Sequence, residues 1–404
     1  MWSFKTVLLV GTSLAITGCG SVKSQRRIAP PAPHPSMETT ASISPVTTPG
    51  TPQFLAWERA HNAYEQQAQA YWDDVAQKRR QRTAKRKARQ NIQLDDYVLM
   101  QPPVYSGPPC PATPGSAIKP PVQRAPVPGV DHFIASARQV YGYTPDRPGS
   151  EAEFMRAYAN AALETGLTRN QLVALYAFET GGNGTHDLQS GMLPGKADAK
   201  PISTAIGYNQ LVATASVSVM SEFGPAIAGT LRKQAAYESP ARQRQLQKKA
   251  AIVDKMVIEA RRVPHQWAAQ AELAKTPVGL GIHAMTLDKD IGPLLQIHKL
   301  RTSVRHLHAY GIKRTVSGAE LEMLNLTGDG NGLDMISMPA AFRAQVPTAN
   351  FFQRTGYERN PVARRHNTVA RLLDETRSKM LKNMEKEGAQ ALSQAFRSQI
   401  LARN

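Results

Sequence analysis

Between residues 168 and 182 the chain sets apolar side chains at helical spacing, with Leu172, Leu175, Tyr176 and Glu179 on one stripe. Thr168 followed by Gln171 has the signature of a capping box, and Gly181-Gly182 closes the helix. The last member of the stripe is therefore a carboxylate on the face that should meet a core. Burial disfavours its charged form, and the negative end of the helix dipole acts in the same direction. The pattern predicts an acid that keeps its proton near neutral pH.

Other segments frame this helix. A helix is predicted from about Glu151 to Glu164, and its Glu164-Thr165-Gly166 ending repeats the spelling of Glu179-Thr180-Gly181. Its neighbours Ala159, Asn160, Ala161 and Ala162 are small, and Gly166-Leu167 runs straight into the next cap, so it reads as a supporting helix. Residues 54–93 lack Pro and Gly and predict a solitary helix whose apolar content is Leu55, Trp57, Tyr64, Tyr71 and Trp72. Pro-rich stretches at 28–52 and 100–128 read as extended linkers on either side of it. Residues 231–263 read as a basic helical stretch. It either guides an acidic polymer or forms a soluble surface. Residues 362–404 read as a polar, mixed-charge helix with apolar positions too sparse for a heptad seam.

Composition agrees with a mainly α fold: 41% of residues are hydrophobic but only 6% aromatic, which favours Ala- and Leu-rich helices over a sandwich. The formal net charge of +18 suits a partner of net negative charge. Part of it is concentrated between Lys78 and Arg89, where no aromatic residue is interleaved to stack bases. That run is read as a helix attracted to anionic lipid headgroups or wall carboxylates, or one that simply stays in water; export argues against nucleic acid. The export signal is a short basic start, Met1 to Lys5, followed by an apolar stretch from Val7 to Ile16 that is too short to span a bilayer comfortably.

Several chemistries lack their residues. The histidines, among them His186, His265, His283, His298, His306 and His308, never form His-Glu-x-x-His, so no metal or cofactor is expected. His306 and His308 cannot share a helix face and read as surface or packing residues. The stretch from Asp329 to Asp334 starts like a calcium loop but has Asp where the obligatory Gly belongs, and reads as a turn. No phosphate loop and no Gly-x-Ser-x-Gly elbow is present.

Beyond Glu179-Thr180 and a polar loop, the chain reads Ser203-Thr204-Ala205-Ile206-Gly207-Tyr208-Asn209-Gln210-Leu211, followed by Thr214-Ala215. This ordered set resembles the goose-type lysozyme and soluble lytic transglycosylase superfamily. In that family a helix ends in Glu-Ser or a close variant, and a Gly-Leu-Met-Gln-Leu segment opens a later one. Tyr208 stands here for the usual Leu and Asn209 for the usual Met. Leu287-Asp288-Lys289-Asp290-Ile291 and the helix after it, to Tyr310, resemble the family's Asp-Pro-x-x-Asn-Ile stretch. The third motif, Ala-Ala-Tyr-Asn-x-Gly, survives only as Glu322-Met323-Leu324-Asn325-Leu326-Thr327-Gly328, without its tyrosine and with one extra residue. The resemblance covers roughly residues 150–360. Ile16-Thr17-Gly18-Cys19 resembles the lipobox of bacterial lipoproteins, which implies cleavage before Cys19 and its acylation. Gly20 rather than Asp implies sorting to the periplasmic face of the outer membrane. Of the 2 cysteines, Cys110 is then left with no intramolecular partner.

The resemblance implies a lysozyme-like fold with little or no sheet, and an enzyme that cleaves peptidoglycan glycan strands. Glu179 would protonate the bridge between N-acetylmuramic acid and N-acetylglucosamine, then act as base on the 6-hydroxyl to leave a 1,6-anhydro end. Thr180, Ser203, Gly207, Tyr208, Asn209, Gln210 and Asn325 would contact substrate. Two other readings stay open: a hydrolytic muramidase in which Asp187 or Asp198 activates water, and a non-catalytic lipoprotein tethering membrane to wall. The expected organisation is a leader at 1–18, a linker at 19–52, a basic helical segment at 53–93 and a Pro-rich linker at 94–130. A lysozyme-like domain follows at 131–361, with its basic insertion near 225–275, and the polar helix occupies 362–404.

Overall fold

A computed structural model describes residues 51–111, 126–192 and 199–403. The leader, Cys19, most of the first linker and Asp198 lie outside these residues. Helices dominate, and the described residues contain only isolated β-bridges and no sheet. None of these helices is long and apolar enough to cross a membrane.

The helices are α1 (Pro52–Lys87), α2 (Val130–Tyr141), α3 (Glu151–Glu164), α4 (Arg169–Thr180), α5 (Ala213–Ala235), α6 (Pro240–Ala260), α7 (Trp267–Ala274) and α8 (Pro277–Ala284). They continue with α9 (Ile291–Ala309), α10 (Gly318–Thr327), α11 (Asp329–Ser337), short α12 (Ala340–Arg343), α13 (Arg354–Glu358) and α14 (Pro361–Arg365), then α15 (Val369–Met384) and α16 (Glu387–Leu401). Helix α4 starts and stops where its caps predict. Thr168 accepts from the Gln171 amide while Gln171 Oε1 accepts from the Thr168 amide at 2.9 Å, and Gly181 takes a left-handed φ of 71°. Leu172, Leu175 and Tyr176 are fully or nearly fully buried. Around α4 pack α10, α15 and α16, and α16 also covers α3.

The basic run does not form a solitary helix. Helix α1 docks on the body through the side of the run that carries Arg79, Arg82, Lys85 and Arg86. Arg82 is completely buried, donates to the carbonyls of Asp96 at 2.9 Å and Asn350 at 3.0 Å, and pairs with Asp334. Arg86 reaches the same Asp334, Lys85 pairs with Asp96, and Arg79 donates to Asn350 and Phe352 carbonyls. Arg80, Lys87 and Arg89 are left exposed. The start of the expected linker at 94–130 is packed on the body too: Tyr97 and Val98 are buried, and Asn350 brackets Val98 with two hydrogen bonds. Burial of the Arg82 guanidinium is tolerated because every bond it makes ends on a carbonyl or carboxylate.

Residues 231–263 are helical and packed, as expected, but their basic character does not make them a surface throughout. Helices α5 and α6 pack along each other, with Leu246, Ala250, Val253, Met256 and Val257 inward. A Cβ at Gly224 would meet Val257 Cγ2 at 2.2 Å, so the helices touch where only glycine fits. Lys249, one of the basic residues of that stretch, is buried against Asp288 at 2.9 Å, Asp146 at 3.2 Å and Asp290. After α14, the described part of the region 362–404 comprises the two packed helices α15 and α16, with Leu372, Leu373, Met380, Leu392 and Phe396 in the core. The stretch read as a turn at Asp329 begins α11, where Gly332 lies directly against the Leu324 backbone. Cys110, expected to lack a partner, is disulfide-bonded.

Candidate active site

Helices α4, α5, α9, α10 and α15 converge on a cleft of about 700 Å³, together with the segment from Asn209 to Val212. Glu179 stands at the C-terminal end of α4 and lines it. Asn325, on α10, donates from Nδ2 to Glu179 Oε1 at 2.8 Å. Burial pushes the Glu179 carboxyl up to about 7, against the pull of contacts with Glu322, Lys379 and Asn325 that favour the charged form. A group with that midpoint holds and releases a proton around neutrality.

Sequence reasoning found no second carboxyl near Glu179, and the structure supplies one. Glu322 precedes Asn325 by three residues on α10, so both point to the same side. It is 3% exposed, lines the cleft, and is held in hydrogen-bonding contact with Glu179. Burial first, and then the Glu179 charge, hold its carboxyl well above the usual carboxylate range. The i, i+3 spacing from Asn325 was the available signal. Two cations also line the cleft: Lys379 from α15, which lies over the Phe178 ring at 4.9 Å, and Lys299 from α9. Trp267 sits at the rim, 61% exposed, and is an apolar face of the size a sugar ring needs.

The Gly207 to Gln210 segment is a tight turn built on left-handed backbone. Gly207 has φ of 80°, and Gln210, which is not a glycine, has φ of 43°. Such a residue costs about 1 to 3 kcal/mol and persists only when its surroundings fix it. Here Gln210 Nε2 donates to Leu188 O and Gly207 O, both at 2.9 Å, which leaves the amide oxygen as its remaining polar atom. Gln210 and Asn209 line the cleft. The Asn209 side chain is largely committed inward, donating to Gln296 O at 3.0 Å and accepting from Tyr158.

The other expected contacts are elsewhere. Tyr208 is fully buried, with its ring edge-on to Phe154, Tyr158 and Tyr176 and its hydroxyl donating to Glu151. Its aromatic volume is core. The Thr180 hydroxyl donates back to Tyr176 O at 2.7 Å, and Ser203 Oγ accepts from the Ala205 amide at 3.0 Å. A Cβ on Gly207 would come within 3.0 Å of the Gln296 amide, so that residue serves the turn and not a ligand. These four hold the site in place from behind. Asp187 pairs with Arg147 and accepts from Thr185, away from the Glu179 cleft. Comparison with models of known protein families, with curated proteins and with solved structures gives no match.

Proposed function

We propose that the chain is a lysozyme-like peptidoglycan lytic transglycosylase whose general acid is Glu179. The observation that carries the reading is the partly desolvated carboxyl at the end of α4, raised to about 7 by burial, in a cleft it shares with Gln210 and Asn325. A proton held there is available to a departing glycosidic oxygen. Once given up, it leaves a carboxylate beside the Asn325 amide that can take the 6-hydroxyl proton of the same sugar. The proton returns to Glu179, the glycosidic bond is exchanged for an anhydro bridge, and no water is consumed. The substrate's acetamido group supplies charge stabilisation at the anomeric carbon.

Hydrolysis by two carboxylates is the weaker reading. Retaining glycosidases hold their pair about 5 to 5.5 Å apart and inverting ones about 6.5 to 9.5 Å apart. Glu179 and Glu322 are in hydrogen-bonding contact, which leaves room for neither a sugar carbon nor a water between them. The tether reading has no need of a protonated acid in a cleft. The proposed setting is the periplasmic face of the outer membrane, with a lipid anchor at Cys19. Mass spectrometry of intact protein from membranes tests the anchor: an acylated residue 19 is expected, and an unacylated one would remove it. Digesting purified sacculi and weighing the soluble muropeptides tests the reaction: anhydro ends are expected, and reducing ends would replace transglycosylation by hydrolysis.

A further inference from the structure

Glu322 has no role in the single-acid reaction just described, yet it is the most deeply buried carboxyl of the cleft. Its Oε2 atom is shut off from solvent, and no amide or hydroxyl donates to it. An ionised carboxylate there would bury a charge with an unanswered acceptor, beside a second carboxylate. A neutral carboxyl in the same place has a hydroxyl to donate, and Glu179 is the acceptor in contact with it.

We propose that Glu322 stays protonated throughout the cycle and is a positioning residue that donates a hydrogen bond to Glu179, steadying the carboxylate that remains after the acid has delivered its proton. The inference rests on the proposed function for its catalytic meaning, but the contact itself does not. Every element against α10 contributes to the setting. Helix α4 brings Glu179, α9 brings Lys299, α11 begins with Asp329, and α15 brings Glu375 and Lys379. Lys379 draws on Glu179 and Lys299 on Glu322, so each carboxyl has one cation near it. The Asn325 amide donates to Glu179 Oε1 at 2.8 Å and draws on Glu322 as well, but Glu322 keeps a buried Oε2 that no donor answers, so Glu179 is the member of the pair that ionises first. Asn325 and Glu322 thus approach Glu179 as two donors from one face of α10.

The arrangement predicts that a neutral donor can replace Glu322 and an apolar group cannot. Carbon-detected NMR of the Glu carboxyls, followed against pH in the parent, Glu322→Gln and Glu322→Leu, reads this without any substrate. In Glu322→Gln the Glu179 midpoint is expected to stay near that of the parent. In Glu322→Leu, which removes the donor but keeps the volume, it should move up by about one to two pH units. On sacculi, Glu322→Gln should exceed Glu322→Leu by about tenfold or more. A Glu179 midpoint that falls to the ordinary carboxylate range in Glu322→Gln would show that Glu322 acts by its negative charge, and would overturn the proposal. Loss of cleavage in Glu322→Gln equal to that in Glu179→Gln would do the same, since it requires a second working carboxylate. If the parent itself releases no muropeptides, the transglycosylase reading fails, and the NMR titration still decides the role of Glu322.

Discussion

Glu179 concentrates the tension between stability and use. Its folded-state midpoint of about 7 lies above that of an unfolded glutamate, so the folded chain binds this proton more tightly. Below the unfolded midpoint both states are protonated and the group costs nothing. Between there and about 7 the unfolded chain releases its proton first, so stability falls as pH rises, and above 7 the full cost of burying the charge remains. Glu179→Gln should therefore raise the free energy of unfolding over the parent at about pH 8, by up to about 3 kcal/mol, and by little at about pH 4. Urea unfolding at the two pH values checks it; a gain that is the same at both would mean the carboxyl is not desolvated. Tyr208 gives a second prediction at this scale. Tyr208→Phe strips the Glu151 carboxylate of its hydroxyl donor, and Glu151 also receives the His186 amide at 2.8 Å. A loss of about 1 to 3 kcal/mol is expected, with sugar binding in the cleft unmoved, because the residue is core and not a glycan contact.

The elements carrying the acid were legible because their signals are local. Thr168, Gln171 and Gly181 fix α4 from within the helix itself, and the stripe through Leu172 and Tyr176 sets which face Glu179 shares. Gly207 and Gln210 marked a segment whose order was readable, although the left-handed backbone at Gln210 was not. The role of Tyr208 was misplaced, since a tyrosine with a burial partner on α3 looks in sequence like a polar cleft residue. Glu322 was missed because its neighbour in space, Glu179, is far from it along the chain. At this scale Gly207→Ala is the sharp test. The φ of 80° and the 3.0 Å approach to Gln296 make any Cβ strained, at about 1 to 3 kcal/mol. Because the same turn presents Gln210, affinity for glycan fragments should fall together with thermal stability, measurable by titration calorimetry beside a melting curve.

At the scale of the whole molecule, the expected chain of tethered parts gives way to segments folded against one another. A basic run reads as a solvated helix when its partners are out of sight. Asp334 and the carbonyls of residues 350 and 352 lie more than two hundred residues further on, and no pattern within the run announces them. The same holds for α15 and α16, whose sparse apolar residues suffice because α4 and α3 supply the other half of each contact. Helix α15 then delivers Lys379, Glu375 and Thr376 to the cleft, so the region read as a tail is part of the site. Asp334→Ala leaves Arg82 buried without its counter-ion and should cost about 3 to 5 kcal/mol, whereas removing exposed Arg80 should cost almost nothing. If binding to anionic vesicles drops sharply when Arg80, Lys87 and Arg89 are neutralised together, the exposed side of α1 is a surface anchor in addition to a docked helix. The claim beneath all of this is that one proton on one side chain breaks the glycan. Purified sacculi incubated with equal amounts of the parent and Glu179→Gln measure it directly: soluble muropeptides are expected from the parent and none above background from the variant, and equal release from both would contradict the account.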